Sequence, residues 1–257
     1  MTVGIVGCGH VGRAMKELIP QAFLYDPGLG LGSKDEINNC DFAFVCVPTP
    51  AQEDGSCDIS AVEEVVSWLE ASVIILRSTV PVGTSDMLRE KYQKHIIFQP
   101  EYYGETPRHP YADLRKRRWI TLGGDDADCR RVISLYTVCY EKAPEFYLVS
   151  AREAELAKYM SNAFLAMKVV FTNAMYDYAH STGADFDAAR AAWLADPRIG
   201  KSHTKVFPDD RGYGGSCFPK DVEALRYSMR EAGLPTDLFD GMIEHNRYFR
   251  SLNEKEG

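Results

Sequence analysis

Short, nearly continuous apolar runs alternate with amphipathic stretches through the first 150 residues. The runs lie at Val3 to Val6, Phe23 to Tyr25, Phe42 to Val47, Val73 to Leu76, Ile96 to Phe98, Trp119 to Leu122 and Phe146 to Val149. They are too short for helices and too uniformly apolar for strands with one wet face. The pattern therefore predicts strands buried on both faces, joined by crossover helices in βαβ units. After Ser150, an N-cap residue type, the character changes. No Gly or Pro interrupts the chain from Ala151 to about His180, which predicts a helix roughly 45 Å long at ~1.5 Å per residue, or two helices with an unmarked break. A helix of that length serves as a spine or a subunit interface. Further helices are expected over Phe186 to Leu194, Asp221 to Glu231 and Leu238 to Arg250, with a Gly- and Asp-rich loop between Asp196 and Gly215. The expectation is an α/β chain: a doubly wound parallel sheet over residues 1–150, then a mainly helical domain over 151–257.

Composition narrows the partners. A chain of 257 residues with 45% apolar content can bury a substantial core. Its formal net charge of -8 disfavours nucleic acid and anionic membranes, which attract basic fields. The one basic cluster, Arg115-Lys116-Arg117-Arg118, is expected to be a solvated edge. The seven cysteines form no C-x-x-C pair and no metal-like grouping, so free thiols, no metal and a cytoplasmic setting are expected. The N-terminus lacks the pattern of a secretory signal, and the apolar stretch from Leu156 to Tyr176 is broken by Lys158 and Lys168.

Gly7, Gly9 and Gly12 form G-x-G-x-x-G directly after the first run, with His10 and Val11 inside it. At a strand-to-helix turn such glycines allow close approach of a pyrophosphate to the helix N-terminus, the feature of a Rossmann-like dinucleotide site. Asp26 closes the second run, where it can accept from ribose hydroxyls and would repel the extra phosphate of NADP, so NAD is the expected cofactor. Two further turns, one with Pro48 and Thr49 and one with Ser78 and Thr79, follow strands at the edge where open sheets bind ligands. By themselves they are equally well proline-shaped turns.

The strongest chemical signal is Gly212-Tyr213-Gly214-Gly215-Ser216-Cys217-Phe218-Pro219-Lys220-Asp221. Glycines before Cys217 clear side chains from a path to the thiol, and Lys220 places a cation beside it. Cys8, Cys46, Cys129 and Cys139 are expected to be small buried hydrophobes instead. Lys158 and Asn162, four residues apart, share a helix face; alone they could be a packing feature. Glu101 and Glu105, in Pro100-Glu101-Tyr102-Tyr103-Gly104-Glu105, could exchange protons at the sheet edge or simply be solvated.

Taken in order, the Val47 to Pro50 turn, Ser78 to Thr84, Pro100 to Glu105, Ala154 to Phe164, Asp196 to Gly200 and Gly212 to Asp221 resemble the UDP-glucose/GDP-mannose dehydrogenase family over nearly the whole chain. That resemblance implies NAD-dependent oxidation of a nucleotide-sugar 6-hydroxyl to the uronic acid, with Cys217 as nucleophile through a thiohemiacetal and a thioester. It implies that Lys158 and Asn162 stabilise oxyanions, that Asp221 with Lys158 and Thr79 positions water or the reacting hydroxyl, and that Glu105 and Glu101 are acid and base. Pro48, Thr49, Ser78, Thr79, Glu105 and Lys220 join the glycine turn in holding NAD. Tyr102, Tyr103, Tyr213 and Gly214 line the substrate, and Arg198 reaches the substrate of a neighbouring subunit in a homodimer.

Family members of ordinary length continue past the helix near Arg250 into a second α/β domain that grips the nucleotide, so this chain is expected to be a short form. Two other classes stay open: a β-hydroxyacid-type dehydrogenase, which performs a single oxidation without a thiol, and a non-catalytic NAD-binding subunit.

Overall fold

The structure is a computed structural model that describes residues 1–103 and 113–253. Strands form at all seven apolar runs: β1 (Val3–Val6), β2 (Phe23–Tyr25), β3 (Phe42–Val45), β4 (Val73–Leu76), β5 (Ile96–Phe98), β6 (Trp119–Gly123) and β7 (Glu145–Val149). They make one sheet in the order β2-β1-β3-β4-β5-β6-β7. β1, β3, β4 and β5 are buried throughout, whereas the edge strands β2 and β7 are partly exposed.

Neighbouring strands run parallel except β5 and β6, which meet antiparallel at Phe98 and Gly123. The all-parallel expectation is corrected at that one pair. An antiparallel neighbour needs no crossover helix, and the described part of the β5–β6 connection holds only a short 3-10 turn at Leu114–Lys116. β3 also ends two residues early. The Cys46 amide still bonds to Val6, but beyond it Val47 gives its carbonyl to the Ser78 hydroxyl at 2.6 Å.

Helices α1 (His10–Leu18), α2 (Lys34–Asn38), α3 (Ser60–Trp68), α4 (Thr84–Tyr92) and α5 (Asp126–Thr137) cover the sheet. Successive strand residues face opposite sides, so two apolar cores form. Ile5, Phe44 and Ile75 pack with Ala14, Met15 and Leu18 of α1 in one, while Val6, Val45 and Ile74 pack with Val62, Val66 and Leu88 in the other. The chain order reverses between β1 and β3, which opens a crevice at their carboxyl ends.

The Gly- and Pro-free stretch forms a single helix, α6 (Ala151–Thr182), of 32 residues. The chain separates into two compact units, 1–50 with 57–158, and 51–56 with 159–257. The division thus falls inside α6, because its first turns belong with the sheet: Ala154 is fully buried in the second of the two cores. In the second unit follow α7 (Phe186–Trp193), α8 (Phe218–Glu231) and α9 (Asp237–Asn253), around a core of Ala163, Ala166, Tyr213, Val222, Met242 and Ile243. α8 begins three residues ahead of the expected Asp221, since Pro219 sits comfortably in a first turn. No helix among the described residues is long and apolar enough to cross a membrane.

Candidate active site

In the first unit the glycine turn has the shape of a phosphate cradle. A Cβ on Gly12 would lie 1.9 Å from the Gly7 carbonyl oxygen, so α1 can start this close to the turn only without one. A Cβ on Gly9 would meet nothing within 4 Å, and Gly9 itself caps α1. Open space above first-turn amides, which have no partner within their own helix, is what a pyrophosphate needs. His10 is exposed and Val11 half-buried beside that space. Asp26, at the end of β2, accepts from the Cys8 amide at 2.8 Å and the Leu29 amide at 3.3 Å, which ties its carboxylate to the glycine turn. The residues present therefore fit NAD.

Across the crevice the two proline-containing turns are knitted together. The buried Thr49 hydroxyl donates to the Thr79 carbonyl at 2.8 Å, and the buried Ser78 hydroxyl is spent on Val47. Pro48 is exposed and Thr79 half-buried. The start of α4, where this second turn ends, is held from α6. Fully buried Glu155 accepts from the Gly83 amide at 2.5 Å, the Ser85 amide at 2.8 Å and the Ser85 hydroxyl at 2.6 Å. Burial nonetheless pushes its carboxyl above the ordinary range, the hydrogen bonds offsetting that only in part. Glu155 escaped sequence reasoning although a signal existed: it lies beside Ala154 and three residues before Lys158, on the helix's buried side.

Glu101 is not solvated. Only 7% exposed, its carboxylate pairs with Arg77 and with Arg117 and also accepts from the Tyr103 amide. Arg77 and Arg117 are 2% and 3% exposed, so the basic cluster expected to form a solvated edge sends Arg117 inward; Arg115, Lys116 and Arg118 alone match that expectation. Burial pulls the Arg77 guanidinium below its usual range. The Glu101 carbonyl accepts from the buried Lys158 ammonium, which also lies 5.2 Å from the Tyr102 ring centroid; Arg117 approaches the same ring to 5.7 Å. Glu101, Tyr102, Tyr103 and Lys158 are thus brought together. Glu105 lies outside the described residues.

In the second unit Cys217 is exposed and occupies the N-cap of α8. One turn on, Asp221, 2% exposed, accepts from Lys220 at 2.6 Å through one oxygen and from Asn162 at 2.5 Å through the other. The result is a Lys220–Asp221–Asn162 chain behind the thiol-bearing turn, with Asp221 and Asn162 buried and Lys220 half-buried. Tyr213 is buried against Phe218, and its phenol is pushed up to about 12, first by burial and then by the Glu223 charge; Gly214 is exposed. Arg198 is exposed and forked on Asp196, with contacts from 2.5 to 3.0 Å, in a turn whose Ile199 and Gly200 carbonyls are held by Lys168. All seven cysteines are free thiols, and among the described residues no group of His, Cys, Asp or Glu is placed to hold a metal ion.

Two family models match this chain: the UDP-glucose/GDP-mannose dehydrogenase NAD binding domain over residues 30–141 and the central domain of the same family over 152–248. A UDP-glucose 6-dehydrogenase of Pseudomonas aeruginosa is 30% identical, with 91% of this chain and 56% of the relative covered. One from Rhizobium meliloti is 34% identical over 93% of this chain and 60% of the relative. The chain therefore spans little more than half the length of these relatives. Among solved structures, a UDP-glucose dehydrogenase from Pyrobaculum islandicum superposes with a TM-score of 0.82 at 25% identity, covering 96% of this chain and 68% of that one.

Proposed function

Because the chain belongs to the UDP-glucose/GDP-mannose dehydrogenase family, we propose that it oxidises the 6-hydroxyl of a nucleotide sugar to the acid through a covalent intermediate on Cys217. The observation that carries this is an exposed thiol at a helix N-terminus, backed by the Lys220–Asp221–Asn162 chain. A single oxidation needs no thiol, and a non-catalytic subunit needs neither part.

NAD, when bound, supplies the hydride acceptor for both oxidations. Gly7, Gly9 and Gly12 with the first turn of α1 hold its pyrophosphate and Asp26 its adenosine ribose, while Pro48, Thr49, Ser78 and Thr79 wall the crevice. Once the alcohol has become an aldehyde, the Cys217 sulfur bonds to the carbonyl carbon and its proton passes to the new oxygen, giving a thiohemiacetal. Loss of a further hydride and that hydroxyl proton leaves a thioester. Water adds, the carbon–sulfur bond breaks, and the acid departs as the thiol regains its proton.

Lys158 and Asn162 supply donors to the oxygen that carries negative charge along this path. Asp221 orients Asn162, and Lys220 neutralises Asp221. Glu101, committed to two guanidinium groups, is a poor proton carrier; its carbonyl holds Lys158 in place, and acid–base work falls to Glu105. UDP-glucose is the first substrate to try, after the names of the relatives.

The partner is a second copy of the chain. Leu156, Met160, Phe164, Phe171, Met175 and Tyr178 are all exposed on α6. At about 100° per residue they fall within one stripe roughly 100° wide, the breadth of a helix face that packs on a neighbour. In such a dimer Arg198 serves the neighbouring subunit's substrate.

Incubation with NAD and UDP-glucose tests the proposal. The wild type should release two reduced cofactors per acid, and Cys217→Ser should form no acid. Undiminished acid formation by Cys217→Ser would refute the covalent route, and one reduced cofactor per turnover with no acid from the wild type would return the chain to single-oxidation chemistry.

A further inference from the structure

The segment that delivers Cys217 is held along one side by asparagine side chains. Asn246 of α9 accepts from the Tyr213 amide at 2.7 Å and donates to the Tyr213 carbonyl at 3.0 Å. Two helical turns later Asn253 repeats the pattern on Arg211, accepting from its amide at 2.8 Å and donating to its carbonyl at 3.1 Å. A carboxamide presents an N–H donor beside a C=O acceptor, as the N–H and C=O of a single strand residue do toward an antiparallel neighbour. The two asparagines therefore grip the residues on either side of a bend at Gly212, each through its own amide and carbonyl. Between them Gly212 has φ +75, and a Cβ there would lie 2.7 Å from the Asn246 oxygen, so a side chain at this position would be strained and would push the Asn246 carboxamide aside.

The opposite side is anchored through Arg211. Its side chain is 7% exposed and reaches α6, donating to the Asn173 side chain at 2.6 Å and to Asp177 at 2.7 Å. Tyr176 and Phe249 flank the guanidinium at 4.8 and 5.3 Å. From Arg211 to Tyr213 the backbone is thus fixed from α6 and from α9. Beyond it Gly214 and Gly215 are exposed, and a Cβ on Gly215 would meet nothing within 4 Å. Beyond this clamp, Cys217 lies four residues after Tyr213 and itself caps α8.

We propose that Asn246, Asn253 and Arg211 are positioning residues for Cys217, which makes α9 part of the reactive apparatus. This rests on the reading of Cys217 as the nucleophile.

The test uses Asn246→Ala in the full chain, with Asn253→Ala as a milder version at the last turn of α9 should the first fail to fold. Expected are at least tenfold faster hydrogen exchange at the Arg211 to Tyr213 amides with buried α6 amides unchanged, a kcat for acid formation at least tenfold lower, and a KM for NAD within twofold of wild type. Iodoacetamide should alkylate Cys217 at a rate at least threefold different from wild type. Unchanged exchange in the segment would overturn the proposal, as would accelerated exchange with kcat and alkylation both at wild-type values. If the wild type oxidises no nucleotide sugar, the functional reading fails separately, and exchange with alkylation still decides whether the clamp positions the sulfur.

Discussion

Gly9 and Gly12 look alike in the sequence but should fail in opposite ways when replaced by alanine. At Gly12 the new methyl would stand 1.9 Å from the Gly7 carbonyl oxygen, where ordinary contact begins near 3.4 Å. The turn and α1 would have to separate by about 1.5 Å, stripping Ala14, Met15 and Leu18 from the core beneath the sheet. Overpacking of this kind costs about 3 kcal/mol, and at roughly 2–4 °C per kcal/mol for a chain of this size Tm should fall by about 6–12 °C. At Gly9, by contrast, φ -70 and ψ -161 suit any residue and a methyl meets no protein atom. Gly9→Ala should therefore melt within about 1 kcal/mol of the wild type, the smaller freedom of its unfolded chain offset by alanine's poorer fit as an N-cap.

What Gly9→Ala should lose is the cofactor, whose phosphate oxygens must come within hydrogen-bonding range of the amides that the methyl overhangs. A ten- to hundredfold weaker NAD affinity, about 1.4–2.8 kcal/mol, is expected. Thermal melts and calorimetric NAD titrations read the two effects separately. Undiminished NAD affinity in Gly9→Ala would mean that the pyrophosphate does not lie over this turn. A wild-type Tm for Gly12→Ala would refute the packing argument.

Two other outcomes follow from burial. Because Glu155 keeps its proton to higher pH in the folded chain than in the unfolded one, the folded state binds more protons above the ordinary carboxyl range, and stability falls as pH rises through that window. Urea midpoints across about pH 4 to 7 should shift in favour of Glu155→Gln, which cannot titrate; a shift toward the wild type would refute the desolvation argument. For the thiols, burial pushes Cys46 up to about 12 and Cys129 to about 11. At about pH 8 fewer than about one in a thousand of either is thiolate, the reactive form, so a disulfide reagent should label exposed Cys217 first, and survival of the fast phase in Cys217→Ser would contradict this.

The seven strands were legible because burial on both faces leaves near-continuous apolar runs, and α6 because nothing between Ala151 and Thr182 can break it. The antiparallel meeting of β5 and β6 was not, since pairing direction depends on the path of a connection and leaves no mark on strand composition. Arg117 misled for a related reason: within a basic cluster a charge appears solvated, and only folding brings Glu101 to it. Motif residues stood out through glycines and reactive side chains, yet the motif says nothing of what holds it.

The supports are the harder half to find, and their chemistry explains why. Asn246 and Asn253 hold backbone amides and carbonyls, and Glu155 chiefly backbone amides, groups every residue carries, so little in the side chains around them betrays them. What can be found in advance is the cost. A carboxylate on the buried side of α6 is a poor choice for burial, and two asparagines seven residues apart on α9 are poor helix formers. A helix bears that cost where the polar group has work elsewhere, so costly residues two turns apart on one face indicate a backbone partner still to be located. In this chain that partner is the segment from Arg211 to Tyr213, and four residues beyond it lies the sulfur on which the proposed chemistry depends.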